Sequence, residues 1–296
     1  MFYDIMPYIQ DFEAAYSFLK EKKVLNNVAP RCLHCQKEMS LIKNKDVKIF
    51  RCSAHKGEKE SIRKSSFLEY SKLRLQDFIL LTYLWSRNTT VLLTSELVGL
   101  SISTVTQWYQ YMRDITSDYF VRNPYQIGGP GHIVEIDEPM MCKRKYKRGR
   151  MSQERWVFGG WDRDDKIGFL AFVPDCAPET LLFLIKKYIK PGTTIHSNRC
   201  SASNRISEIN VTPKYILSVA NQTENCVDPA KTDLDTNTLE CYWRRAKQCF
   251  KNIMGRDTEM VESYLNEFLW REQYGRTGNE CFENILKHIS EKFTFQ

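Results

Sequence analysis

Apolar and polar positions alternate along this chain in three distinct textures. Ile9, Phe12, Tyr16 and Leu19 recur at helical spacing and predict a short leading helix over residues 8–25, ended by Pro30. Residues 31–56 are polar, lysine-rich and cysteine-containing, with little apolar material for a core. From Phe67 to Arg122 the pattern is strongly helical, led by Leu75, Phe78, Ile79, Leu81 and Tyr83 and followed by two shorter periodic segments. Residues 123–131 hold two prolines and three glycines and predict a linker. Beyond it, His132–Asp137, Trp156–Trp161 and Ile167–Val173 read as strands separated by charged turns. A helix follows over Pro178–Tyr188, then strands over Thr193–His196 and Lys214–Val219, then helices over Asn237–Asn252 and Thr258–Tyr274. A meander of strands giving way to alternating strand and helix predicts an α/β fold with a mixed sheet. The expected layout is a leading helix (1–30), a metal-organised module (31–56), a helical region (57–122), the linker (123–131), an α/β core (132–275) and a C-terminal tail (276–296).

Composition narrows the class. The 296 residues suffice for a sizeable core, and 42% hydrophobic with 27% charged residues describes an ordered globular chain. Lysine plus arginine outnumber aspartate plus glutamate by 43 to 36, a mild excess that supports a polyanionic partner only weakly. The N-terminus lacks the basic and apolar regions of a signal peptide. The longest apolar run, Phe78–Trp85, is far short of the roughly 20 residues a membrane span needs. The ten cysteines are not spaced as a secreted disulfide framework, so a reducing compartment is expected, the nucleus in a eukaryote and otherwise the cytoplasm.

Two cysteine-containing pairs carry the first candidate chemistry. Cys32 and Cys35 form one pair, Cys52 and His55 another, and sixteen residues separate them. Each pair can sit on a tight knuckle, presenting two soft ligands to one tetrahedral zinc. Four protein ligands leave no open position, so such a zinc is structural. His34 lies inside the first knuckle, where Cys35 already fills the ligand role. Further on, residues 94–101 read as a short helix, a turn at Gly99 and an N-cap at Ser101, before a second helix from Ile102 to Ile115. This is the outline of a helix-turn-helix, in which Ser103, Thr104, Gln107 and Trp108 could meet a DNA groove, or of a plain helical hairpin packing its Leu, Val and Trp residues. Lys59, Arg63, Lys64, Lys72 and Arg74 add scattered candidates for phosphate contact.

The run Lys143, Arg144, Lys145, Tyr146, Lys147, Arg148, Gly149 and Arg150 packs six cations into eight residues. It suits a nuclear-import tag, a solvated turn, or a β-hairpin arm gripping phosphates with Tyr146 stacked on a base. Its place directly after Asp137 favours contact with a nucleic-acid strand beside an acidic site. Two-metal phosphodiester cleavage needs carboxylates converging from distant parts of a chain. Asp137 on a strand and Glu240 on a helix can supply two, and Lys247 lies two helical turns after Glu240, with Trp243 and Arg244 between them as further candidates for DNA contact.

The blocks Gly131–Glu138, Gln153–Gly160, Pro191–Ser197 and Asp235–Trp243 resemble Merlin-type DNA transposases and the bacterial insertion-sequence transposases related to them. Tyr264–Arg271 resembles the closing helix of that group, and the cysteine module with the helices of residues 66–85 resembles its N-terminal half. The resemblance implies a ribonuclease-H-like core behind a zinc ribbon, magnesium or manganese as cofactor, and cut-and-paste strand transfer at terminal inverted repeats, with a homodimer as one possible assembly. It places Asp137 and Glu240 on family acids, Lys247 on a downstream family lysine, and Asn198 on the second family aspartate. Residues 199–203 lack the Trp and Tyr that follow that aspartate in the family, and Asp235 and Gln222 stand where histidines are expected.

Asparagine keeps the shape of aspartate and loses its charge, so affinity for at least one dication should fall. Asp228, Asp233 and Asp235 are nearby acids that could substitute. The expected function is that of a transposase-derived DNA-binding protein impaired in cleavage. An active transposase and a non-catalytic zinc-ribbon interaction module are the alternatives.

Overall fold

Nearly every position between Leu75 and Ser86 is apolar or small, and the helix formed there buries ten of its twelve residues. A helix apolar all round has to sit inside other elements, and this one is the centre of the first of two units. The computed structural model describes residues 4–26, 28–44, 47–136, 140–142, 155–197, 203–219, 242–246, 248 and 258–294. In chain order the elements are α1 (Met6–Ile9), α2 (Phe12–Glu21), β1 (Ser40–Asn44), β2 (Val47–Arg51), β3 (Lys59–Ser61), α3 (Leu75–Ser86), α4 (Val91–Val98), α5 (Ile102–Arg122), β4 (Ile133–Ile136), β5 (Met140–Cys142), β6 (Arg155–Asp162), β7 (Ile167–Val173), α6 (Pro178–Tyr188), β8 (Thr194–Ser197), β9 (Ile216–Val219), α7 (Thr258–Tyr274) and α8 (Gly278–Lys292). A 3₁₀ turn covers Ser203–Glu208, and residues 242–246 are helical. No helix among the described residues is long and apolar enough to cross a membrane.

Residues 1–119 together with 274–296 form the first unit, and residues 120–273 the second. In the first, Asp11 breaks the single predicted leading helix in two by accepting a hydrogen bond from the Ala14 amide at 2.8 Å, which caps α2. Strands β1 and β2 lie inside the segment expected as a metal-organised module, and β3, in the region expected to be helical, completes an antiparallel sheet with them. The segment expected as a tail is α8, begun by a capping box between Thr277 and Glu280. It buries Cys281, Phe282, Ile285, Leu286, His288 and Ile289, and Phe282 lies against Phe18 and Tyr83 at ring-centroid distances of 6.1 and 5.8 Å.

The second unit is a mixed α/β structure, as the alternating pattern predicts. Its six-stranded sheet runs β7, β6, β4, β8, β9, with β5 continuing the line of β4 along the same edge of β6. The first three strands pair antiparallel, whereas β4 and β8, and β8 and β9, are parallel. One face is closed by Leu181, Leu184 and Ile185 of α6 over Val134, Ile136, Phe158 and Ile195. The other is closed by Tyr242, Trp243 and Ala246 with Val261, Leu265 and Leu269 of α7, over Val157, Trp161 and Leu170. A sheet covered on both sides this way needs apolar residues at successive positions, which explains the unbroken run in β7.

Residues 123–131 are no free linker. Ile127 is fully buried in the α6 cluster and exchanges backbone hydrogen bonds with Tyr188 and Lys190 at 2.8 and 2.9 Å. Gly128 turns at φ 80°, and a Cβ there would lie 2.4 Å from the Thr193 hydroxyl oxygen. Here the glycines serve a tight passage through packed structure. Gly168 serves a second close approach: a Cβ there would sit 2.7 Å from the Tyr242 ring and 2.8 Å from the Gly160 carbonyl oxygen. Gly168→Ala is expected to destabilise the second unit by about 1–3 kcal/mol through forced displacement of Tyr242, read as a lower denaturant midpoint at unchanged slope.

Candidate metal centre and the strand ends of the mixed sheet

Antiparallel pairing of β1, β2 and β3 gives the cysteine quartet its shape. Cys52 follows β2 directly, and the bridge between Arg31 and Glu38 folds the first knuckle back beside Cys32. Gln36 takes φ 55° in that knuckle, and its amide donates to the Cys32 carbonyl at 2.9 Å. The Sγ atoms of Cys35 and Cys52 stand 3.6 Å apart, while His55 Nδ1 lies 3.7 Å from Cys32 Sγ and 3.8 Å from Cys52 Sγ. A tetrahedron built on metal–sulfur bonds of about 2.3 Å has edges near 3.8 Å, so these separations fit a single tetrahedral zinc-sized cation. All four ligand atoms lie within 4.8 Å of one another. The backbone amide of Cys35 holds the Cys32 thiol below its ordinary value, and that of His55, donating to Sγ at 3.2 Å, does the same for Cys52. His34 stands outside the quartet, with Nε2 3.1 Å from the Glu58 carboxylate.

The helix-turn-helix outline is present as α4, a left-handed Gly99 and α5, with the Ser101 hydroxyl accepting from the Thr104 amide at 3.2 Å. Its surface is not that of a phosphate clamp. Residues 89–112 contain no lysine or arginine, and Arg113 is buried. The Thr94 side chain faces inward to the Tyr109 hydroxyl at 2.7 Å, while Leu92 and Leu97 are more than half exposed. Gln107 is exposed and donates to the Tyr111 hydroxyl at 2.6 Å, but Trp108 is buried and unavailable to a groove. Arg63 is likewise engaged, donating to the carbonyls of Ser71 and Leu73 at 2.6 and 2.7 Å.

In the second unit, strands that lead into two of the sequence motifs end side by side. Parallel pairing sets Ile136 beside Ser197, and Ser197 beside Val219, so three strands finish at one end of the sheet. Asp137 and Asn198 are the next residues in sequence after Ile136 and Ser197. Both lie outside the described residues, as do Glu240, Lys247 and the basic residues Lys143, Arg144, Lys145, Tyr146, Lys147, Arg148 and Arg150. In sequence the basic run lies between the antiparallel neighbours β5 and β6. On the strand face that carries Trp161, Glu135 pairs in register with His196 and accepts from Arg163 Nε at 2.6 Å. Burial, and then the nearby Arg163 cation, hold the His196 imidazole below its ordinary value against the opposing pull of Glu135.

Two residues after Glu240, Tyr242 packs on that same face, its ring 4.8 Å from that of Trp161. Trp243 is 5% exposed within this cluster, which removes it from the DNA contacts expected from sequence, whereas Arg244 is exposed. The apolar demand of a sheet covered on both faces claims the indole.

One constellation has no signature in the sequence. Asp162, fully buried at the end of β6, accepts from the Gly128 amide at 2.8 Å and lies 3.1 Å from His132 Nδ1. It also accepts from the amides of Asp164 and Asp165 at 2.9 and 3.2 Å. These neighbours saturate both carboxylate oxygens, so the group with His132 and Asp164 is a turn and strand organiser, complete without an ion. Asp162→Ala leaves the buried Gly128 amide and the part-buried amides of Asp164 and Asp165 without their acceptor. It is expected to cost about 3–5 kcal/mol in denaturant-monitored stability of the second unit.

The class of protein follows from comparison with known sequences. Residues 129–273, nearly all of the second unit, match the ISXO2-like transposase domain. The chain is thus related to DDE transposases. It is also similar, at 28% identity over 94% of its own length and 66% of the relative's, to male abnormal protein mab-31 of Caenorhabditis elegans.

Proposed function

We propose that this chain is a transposase-derived DNA-binding protein of the DDE type, with a ribonuclease-H-like core and a zinc ribbon, and with strand cleavage and transfer impaired by Asn198. What supports the core assignment is a three-strand antiparallel meander followed by two parallel strands in the order β7, β6, β4, β8, β9. The observation that carries the reading is the parallel register of β4 and β8, which finishes both strands side by side immediately before Asp137 and Asn198. Ligand sites of open α/β sheets gather at the carboxyl ends of such strands.

Asp137 and Glu240 would hold the magnesium or manganese. Bound there, the cations would polarise the phosphodiester and activate the attacking oxygen. The donor set of two carboxylates and one amide carries one negative charge fewer than three carboxylates, and suits one dication better than two. The chain's own cations would bind the substrate: the run Lys143–Arg150 would grip phosphates beside the strand ends, and Arg244 and Lys247 would add contacts. The cysteine quartet would hold zinc in a purely structural role. The substrate is DNA bearing terminal inverted repeats, and the working compartment in a eukaryote is the nucleus.

The test restores the missing charge. Asn198→Asp should raise magnesium-dependent cleavage of inverted-repeat DNA far above that of the parent protein. Equal activity in the two proteins would overturn the impairment.

A further inference from the structure

The first unit contains a cavity of ≈ 710 Å³, formed by the segment leading into α3, the exposed side of α5 and Phe293 just after α8. Its size is that of a small-molecule site, which typically runs to about 300–1,000 Å³. The floor is aromatic: Phe67 lies edge-on to Trp108 at 5.7 Å and beside Phe293 at 5.6 Å, and Trp108 meets Tyr111 at 5.5 Å. Arg63, itself half-buried, fixes the wall through its hydrogen bonds to the carbonyls of Ser71 and Leu73, so the cavity is held open by the fold. At the rim Tyr70 is 94% exposed, with almost none of its ring covered.

The polar groups select the ligand. Gln107 lines the wall one turn after Thr104, its amide aligned by the Tyr111 hydroxyl. An amide in such a position offers a donor and an acceptor in one plane, the complement of a base edge. The charges nearly cancel: Arg74 is occupied by Asp77 through two hydrogen bonds of 2.8 Å, leaving Lys72 opposed by Glu69. Such a site has little to hold a phosphate cluster and much to hold a flat, hydrogen-bonding ring. We propose that this cavity takes one unpaired nucleobase of a DNA strand, stacked against its aromatic residues and met at its edge by Gln107, with Lys72 beside the adjoining phosphate. This rests on the reading of the chain as a DNA-binding protein, and goes beyond it in assigning a recognition site to the unit that carries no catalytic acid.

The chemistry also explains the surface of α5. A groove reader needs cations to grip phosphates on both sides of its helix, and residues 89–112 have none. A base taken out of its stack requires no such clamp. Stacking is its main source of affinity, and every base has a face to offer.

The experiment compares two single strands of equal length, twelve nucleotides each, one of mixed sequence and one abasic throughout, together with an inverted-repeat duplex. The abasic strand presents the same phosphates without the bases. The wild-type protein should bind the base-bearing strand about tenfold more tightly than the abasic one. Tyr70→Ala and Gln107→Ala alter side chains at the surface and should reduce that preference to about twofold or less, with duplex retention unchanged. Thr104→Trp, which fills the cavity, should abolish the preference. A 2-aminopurine placed in the mixed strand should change its fluorescence on the wild-type protein and not on the filled variant. Equal binding of the two strands, or a preference that survives all three substitutions, overturns the proposal while duplex retention keeps the wider reading intact. A substitution that weakens duplex and single strand equally also overturns it. Failure of the wild-type protein to retain any of the three DNAs overturns both.

Discussion

With zinc held by the cysteine quartet as proposed, a strong chelator is expected to dissolve the three-stranded sheet of β1, β2 and β3. Among the described residues, the buried apolar ones of this module are few: Met39, Phe50 and Ile62, besides the ligands Cys32 and Cys52. Three such side chains do not offset the conformational entropy of ordering this segment. A structural zinc adds its binding free energy directly to that of folding. A zinc held by the quartet would therefore decide whether residues 31–61 are ordered. Hydrogen exchange read by mass spectrometry should show these amides losing protection on chelation, while those of α3 and α5 keep theirs. Mass measured under native conditions should fall by one zinc per chain. Cys52→Ser should give the same exchange pattern without chelator, because it removes the thiolate that contacts both Cys35 and His55. Protection that persists in a demonstrably metal-free protein would show the sheet to be self-sufficient and the quartet incidental.

The quartet was legible because two soft-ligand pairs at knuckle spacing are rare by accident, and the chain there has little else to fold around. Its strands were not. Ser40–Asn44 and Val47–Arg51 are short, lysine-containing and half solvent-facing, so their pattern does not stand out from that of a loop. Strand β7 and helix α6 fall where the sequence puts them, since β7 is a buried apolar run and Pro178 pre-sets the first turn of α6. Helix α8 carried clear signals, with Thr277 and Glu280 in capping-box spacing and Phe282, Ile285, Leu286 and Ile289 along one face. Its many charges gave it the texture of a tail.

The errors share one physical origin: a side chain's chemistry does not say whether the fold needs it more than a ligand does. Trp243 and Arg63 have the right groups for nucleic acid, yet one fills the space beneath α7 and the other ties down a loop. Asp162 had no motif to announce it, because its partners are the backbone of a turn and a glycine more than thirty residues away. The segment 123–131 shows the same ambiguity, since the glycines of a linker and those of a tight passage are one signal in sequence.

Asn198→Asp is expected to raise magnesium-dependent cleavage of inverted-repeat DNA by about a thousandfold. A weakly held second cation forfeits several kcal/mol of transition-state stabilisation, and each 1.36 kcal/mol corresponds to about a factor of ten in rate. Asparagine offers the same oxygen at nearly the same place, so the substitution changes charge with little change in packing. The gain should therefore lie in the rate of the bound complex, leaving DNA affinity within about twofold, since affinity is set by phosphate contacts elsewhere. Single-turnover cleavage of an end-labelled duplex separates these quantities. Glu240→Gln in the restored protein should return the rate to the parental level, because it removes again one unit of charge from the same cation site. A parent that already cleaves at the restored rate would mean that a nearby acid, Asp228, Asp233 or Asp235, completes the ligand set. A restored protein that cleaves no faster than its parent would show that the charge missing at residue 198 does not limit the reaction.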